Sequence, residues 1–414
     1  MNSSSKHVKR PTPFKFALIT ASVALALSPL NFVYADDAEG DEAKEKSTEV
    51  ERVSVLGTRA APRSATESPV PIDIIRAEDF TKSGVVDMND MLQAVVPSFN
   101  INAQPISDAA TLVRPANLRG LAPDHTLVLV NGKRRHRSAV ITFLGGGLSD
   151  GSQGPDISLI PGVAIKSVEV LRDGAAAQYG SDAIAGVMNF TLNDSAQGGV
   201  FEIRHGEYFE GDGTNTTYSG NVGLPFTDAG FFNVSYEFKQ ADPTDRSVQR
   251  EDAAGLISAG NTNVANPAQV WGLPETKRDF KLFVNNGLDL GNGKEFYMFG
   301  NWAERDVEGG FYFRNPHTRS GVFGVVNDNG TPNDDTDDFQ SLLVGDLQGA
   351  GVSGCPVVPI TAQNVPDPTQ LAALNANPNC FAFFQQYPGG FTPRFGGKVT
   401  DGSFAIGTKG EWGD

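Results

Sequence analysis

The stretch RDGAAAQYGSDAIAGV, Arg172 to Val187, follows the apolar run VAIKSVEVL, and its glycines Gly174, Gly180 and Gly186 recur every six residues. A Gly-rich turn after a strand offers bare backbone N–H groups to an anion, so phosphate binding is the first chemistry to weigh. A P-loop needs Lys-Ser/Thr behind its glycines and a dinucleotide site needs GxGxxG, and neither spacing is present. The stretch NDNGTPNDDTDD gathers Asp328, Asp334, Asp335, Asp337 and Asp338, the oxygens a hard cation takes, but lacks the Gly and Glu positions of an EF-hand loop. A solvated acidic loop is the simpler reading. His125, His136, His205 and His317 show no metal-ligand spacing, and no nucleophile–base pair is evident. These residues point to no enzyme, resident metal or cofactor.

The elements that carry these residues follow an export signal. Lys6, Lys9, Arg10 and Lys15 precede an apolar run from Phe16 to Leu27, with Val33 and Ala35 as small residues suited to cleavage. Cleavage after Ala35 is expected, giving a signal peptide over 1–35. The apolar run is shorter than the ~20 residues of a membrane-spanning helix. The formal net charge of −16 argues against nucleic acid as a partner, since its phosphates would repel the chain. Cys355 and Cys380 are the only cysteines, and in an exported chain they are expected to pair.

Residues 36–49, DDAEGDEAKEKSTE, hold seven acids and almost nothing apolar, so no core forms there. VERVSVLGTR follows, a β-prone patch too small for a core but able to pair with another protein's sheet edge. From about 61 to 195 the text is mixed. PVPIDII, HTLVLVNGKRR and AIKSVEVLRDG read as strands and AEDFTKSGVVDMNDMLQAVV as a helical stretch, an α+β domain of ordinary size. Beyond Asn193 the pattern alternates. In FFNVSYEFK, Phe232, Val234, Tyr236 and Phe238 are apolar and Asn233, Ser235, Glu237 and Lys239 polar. Similar segments lie near 199–209, 217–226, 276–289 and 294–306, which predicts five antiparallel strands. SFAIGTKGEW reads as the rise of a sixth. The long connections, about 241–276 and 307–400, fall at the same end of such a sheet, as outer-membrane barrels require. Tyr208, Phe226 and Trp302 are candidates for aromatic girdles. Five or six strands do not close a barrel around such a domain, so residues 196–414 are expected to be the start of a larger barrel, incomplete in this chain and unable to transport alone.

The order of motifs resembles the TonB-dependent outer-membrane receptors. VERVSVLGTRA looks like the TonB box with its trailing Gly-Thr-Arg. SPVPIDIIRAEDF, LRGLAPDHTLVLVNGKRRH and IPGVAIKSVEVLRDGAAAQYGSDAIAGVMNF look like successive blocks of the plug, in the family's order. Arg172-Asp173-Gly174 stands where many members read Arg-Gly-Pro. The Gly-rich turn then resembles the last plug segment, where Gly180 and Gly186 permit close backbone approach.

The resemblance implies an α+β plug, 61–195, inside an antiparallel transmembrane β-barrel of about 22 strands, preceded by a flexible periplasmic arm, 36–60. It implies energy-coupled uptake of a scarce extracellular solute (siderophore-iron, cobalamin, carbohydrate or peptide). The rival readings are a truncated, transport-incompetent fragment and a secreted β-rich binding protein. Its partners would be the periplasmic domain of TonB with its inner-membrane motor, outer-membrane lipid and the solute. Val50, Glu51, Arg52, Val53, Ser54, Val55 and Leu56 would add to TonB as a strand. Apical loops would meet the solute, with Gln104, Arg137, Ser138 and Phe143 as the expected contacts. The run KRRHR, Lys133–Arg137, suits either an anionic ligand or carboxylates on a barrel wall, and the second role is the commoner.

Overall fold

Strand β1, Ile72–Arg76, opens the residues that the computed structural model describes: 72–82, 87–101, 112–142, 150–172, 176–328, 331, 335–349, 354–361 and 364–410. The expected signal peptide, acidic arm and Val50–Leu56 box lie outside them, as do Gln104, Phe143, Asp173, Gly174 and Asp334. Helix α1, Ala77–Lys82, and helix α2, Met88–Val95, stand where one helical stretch was predicted. Asp87 caps α2, its side chain accepting from Asn89 N at 2.9 Å, and so starts a new helix inside the predicted one. Met88, Met91 and Leu92 follow at helical spacing and are buried.

β2, Phe99–Ile101, pairs with β3, Ala116–Leu118. β4, Thr126–Val130, turns back through Asn131 and Gly132, both at positive φ, into β5, Lys133–Arg134. That is the two-residue hairpin an Asn-Gly pair favours. β6, Ile165–Leu171, leads through helix α3, Ala176–Tyr179, to β7, Gly186–Leu192, and the sheet order is β1-β6-β7-β4-β5. Only β4 and β7 are parallel. The alternate faces of this sheet feed two cores. Val128, Val130, Val168, Val170, Met188 and Phe190 pack with α2, while Leu127, Leu129, Leu171 and Val187 pack with Ala183.

The two glycines expected to serve close approach divide. A Cβ on Gly186 would lie 2.4 Å from Leu171 O, so crowding excludes any side chain there. Gly180 has open space around it and sits at φ +87, so its role is the left-handed backbone instead.

Behind the plug run β8, Gly199–Gly206; β9, Asn215–Pro225; β10, Gly230–Ala241; β11, Glu275–Gly291; and β12, Lys294–Gly310, with helix α4, Glu251–Ser258, between β10 and β11. β13, Gly324–Asn327, β14, Phe339–Leu342, β15, Val344–Asp346, helix α5, Pro368–Ala376, and β16, Cys380–Ala382, decorate the long connection to β17, Arg394–Lys409. The sheet is antiparallel and open, in the order β17-β12-β11-β10-β9-β8. The two long connections, 242–274 and 311–393, leave its same end.

The predicted sixth strand begins nine residues before SFAIGTK, at Arg394. Its first half has no apolar alternation because its outward side chains are charged. Arg394 pairs with Glu308 at 3.2 Å and Lys398 with Glu304 at 2.9 Å. Of the candidate girdle residues, Trp302 faces outward between the apolar Met298 and Phe296 and the charged Glu304, and Phe226 lies by the tight turn. Tyr208 belongs to the 207–214 connection, under the guanidinium of Arg246 at 5.5 Å.

Glu169 on β6 is 4% exposed and accepts from Asn189 Nδ2 at 3.3 Å. Burial pushes its carboxyl up, against a smaller opposing effect of that hydrogen bond. A carboxyl raised in the folded state favours the protonated form, so its ionisation lowers stability as pH rises from the ordinary glutamate range through the folded value. Glu169→Gln should therefore stabilise the plug at neutral pH and bring no gain in acid. Denaturation midpoints measured against pH check this, and parallel profiles for parent and variant would refute it.

Candidate functional site

The strands alternate in the sense opposite to a soluble sheet. On β10, Asn233, Ser235 and Glu237 are buried, while Phe232, Val234, Tyr236 and Phe238 on the other face keep partial exposure. On β17 the outward Phe404 and Ile406 are 67% and 58% exposed. Apolar side chains outward and polar ones inward are what a strand needs between lipid and a polar interior. The polar face is not open to water, because the plug lies against it. Phe283 on β11 and Phe299 on β12 join the plug core, and nearer the long connections Leu112 and Val140 of the plug meet Val307, Val399 and Phe395.

Charge binds the two layers where apolar contact stops. Arg305 on β12, 5% exposed, donates from Nε and Nη2 to Asp279 Oδ2 (3.2 and 2.9 Å). It reaches across to the plug, donating to Ser158 Oγ (2.6 Å) and Ser158 O (3.2 Å), with Asp156 Oδ2 at 3.6 Å. Lys281 lies 2.5 Å from Glu237 Oε1 and 3.5 Å from Asp279 Oδ2. Antiparallel register makes this ladder: Lys239 opposes Asp279, which opposes Arg305, so charges of alternating sign sit side by side. Within the plug Arg114 pairs with Asp87. Burial disfavours the Asp87 carboxylate, but Arg114, aided by Lys239, Lys281 and Arg305, outweighs it and holds the carboxyl below its ordinary value.

The second crossing is made by the basic run. Arg135 donates to Asp401 Oδ1 (2.5 Å), Asn301 Oδ1 (2.6 Å) and Ser403 Oγ (2.9 Å) on the wall. His136 Nε2 lies 2.6 Å from the other oxygen of Asp401. Lys133 stands over the ring of Tyr297 at 5.1 Å, and Arg134 pairs with Asp182 of the plug. Burial lowers the affinity of Arg135 for its proton, and Asp401 only partly offsets this. Four of the five residues in KRRHR are thus held by plug or wall.

Arg137 is exposed and borders a cleft of about 150 Å³ with Asp124, Thr126, Gln153 and Asp182. Ser138 is buried, its hydroxyl donating to Val140 O at 3.1 Å. The structure therefore separates these two expected solute contacts: one meets solvent and the other closes its own turn. Arg305, Asp279, Lys281 and Asp156 were not singled out in the sequence. For Arg305, Asp279 and Lys281 the signal was the placing of charges at the polar positions of an alternating strand; Asp156 caps a short turn, Ile157–Leu159, and gave none.

Cys355 and Cys380 are bonded, with Cα atoms 5.6 Å apart, beside a small core of Leu342, Val358, Leu374 and Ala382. Closing a loop with this separation of 25 residues stabilises by about 3–4 kcal/mol in the chain-entropy model. Non-reducing peptide mapping should recover the linked pair, and two alkylatable thiols in protein isolated without reductant would refute it. In the acidic loop, Thr331 Oγ1 donates to Asp337 Oδ1 at 2.7 Å. Among the described residues no group of three or more His, Cys, Asp or Glu side chains is arranged to hold a metal ion.

The family model described as TonB-dependent Receptor Plug Domain matches residues 64–187. The ferric enterobactin receptor PirA of Pseudomonas aeruginosa is 28% identical over 264 residues, which is 61% of this chain and 35% of the relative. The vitamin B12 transporter BtuB of Vibrio vulnificus is 28% identical over 175 residues, 42% of this chain and 24% of its own length. The solved siderophore receptor PirA of Acinetobacter baumannii aligns with a TM-score of 0.43 at 20% identity, covering 62% of this chain and 33% of that one. The chain spans about a third of the length of the first curated relative. With residues 64–187 matched in sequence, this chain carries a TonB-dependent receptor plug domain, followed by six antiparallel strands that are polar inward and apolar outward.

Proposed function

We propose that the intact receptor sits in the outer membrane of a Gram-negative cell and takes up a scarce extracellular solute when TonB pulls on Val50–Leu56. The observation that carries this reading is the plug seated by ion pairs on the polar face of a wall whose other face is apolar. A plug held by apolar contact alone would expose that surface to water on leaving. One held in part by hydrogen bonds and paired charges exchanges those contacts for water, at a net cost of about 1–3 kcal/mol each. Movement driven from the periplasm is then affordable, and no nucleotide is hydrolysed by this chain.

The names of the relatives favour a ferric siderophore or cobalamin as solute. Arg137, exposed at the cleft, is on this reading a residue that meets it, together with Gln104 and Phe143. The chain enters the export pathway through residues 1–35, and its plug occupies about 61–195.

The test is uptake of radio-iron siderophore and labelled cobalamin by cells whose own receptors are deleted and which express the intact receptor. Uptake of one of them that vanishes with TonB is the expected result. Uptake that persists without TonB would sink the reading.

A further inference from the structure

Three connections leave the same end of the wall: 207–214, 242–274 and 311–393. Surface connections of this length are the segments most often found moving independently. Here they share their packing. Ala253 and Leu256 of α4, with Val264 and Ala268 of the same connection, form one cluster with Phe313 of the third connection, and Val365 packs on it.

Polar bonds cross the same seam. Phe313 N donates to Gln269 Oε1 (2.8 Å), Asn261 Nδ2 to Pro388 O (2.7 Å), Asn315 Nδ2 to Asp252 Oδ2 (3.3 Å), and Thr392 Oγ1 to Ala268 O. Their partners on the third connection include both its outgoing limb, at Phe313 and Asn315, and its returning limb, at Pro388 and Thr392. The first connection is tied in by Arg246. Its guanidinium donates to both oxygens of Asp212 (2.6 and 2.9 Å) and to Glu210 (3.0 Å).

We propose that the described parts of the three connections form one cooperative unit that loosens as a single body. A cluster supplied by two connections is lost to both when either leaves. Neither connection can swing alone without exposing Leu256, which is 0% exposed, and Phe313, at 7%. The first connection is joined to the second by the bidentate Arg246–Asp212 pair and by Asp245 N donating to the same carboxylate at 2.8 Å.

Hydrogen exchange on the intact receptor, purified from outer membranes, tests this without reference to transport. In Phe313→Ala the amides of α4 and those around Val365 should both exchange faster, by about a hundredfold or more, the size expected when a buried Phe is truncated. Acceleration confined to the neighbourhood of residue 313, with α4 at the parent rate, would overturn the proposal. Leu256→Val, milder and placed in the other connection, is the reciprocal check. Faster exchange at Phe313–Asn315 as well as in α4 supports a single body, and acceleration confined to 242–274 overturns it.

Discussion

Arg305→Met is expected to loosen the plug from the strands and to lower stability by about 3–5 kcal/mol, the usual cost of breaking a buried ion pair from one side. The guanidinium is 5% exposed and is shared between Asp279 on the wall and Ser158 on the plug, with Asp156 beside it. Removing it leaves two buried carboxylates facing each other across the interface. Lys281, 3.5 Å from Asp279, compensates one of them in part.

Arg305→Lys keeps the charge but loses the fork, so it should fall between parent and Met variant. Adding Asp279→Asn to Arg305→Met should recover part of the loss, because the stranded charge is then gone. Limited proteolysis of the plug and denaturant midpoints measure the effect. A Met variant as resistant as the parent would show that the ladder does not hold the plug.

Val53→Pro is expected to abolish coupling to TonB. On the reading that Val50–Leu56 adds to TonB as an extended strand, its backbone donors carry the pairing. Proline removes one donor and locks φ, and a paired strand accommodates it only at an edge or bulge. Site-specific crosslinking from the box to TonB should disappear, and TonB-dependent uptake with it, while the receptor's amount and its solute binding at the cell surface stay as in the parent. Val53→Ala, which keeps the N–H, should retain most of the crosslink. Undiminished crosslinking of the proline variant would remove residues 50–56 from the partner surface.

The sequence by itself determined what depends on neighbouring residues. The alternation in 217–226 and 232–238 and the placing of both long connections at one end are local geometry, and the fold has both, whereas HTLVLVNGKRR, read as one strand, turns back on itself at Asn131 and Gly132. Alternation has the same period whichever face is buried, so it left a soluble sandwich open. Tertiary structure decided that Asn233, Ser235 and Glu237 face the plug, because only the packed plug makes one face the inside. Distance along the chain hid the rest. Arg135 and Asp401 are 266 residues apart and meet because the plug folds back onto β17. Asp87 broke the predicted helical stretch with a cap whose effect no apolar count records. The first half of β17 carried no alternation to find, since Arg394 and Lys398 become strand residues by pairing with Glu308 and Glu304 on the adjacent strand. Periodicity is written by the backbone of each element, whereas the partner of a charge is chosen by which elements the whole fold brings within a few ångströms.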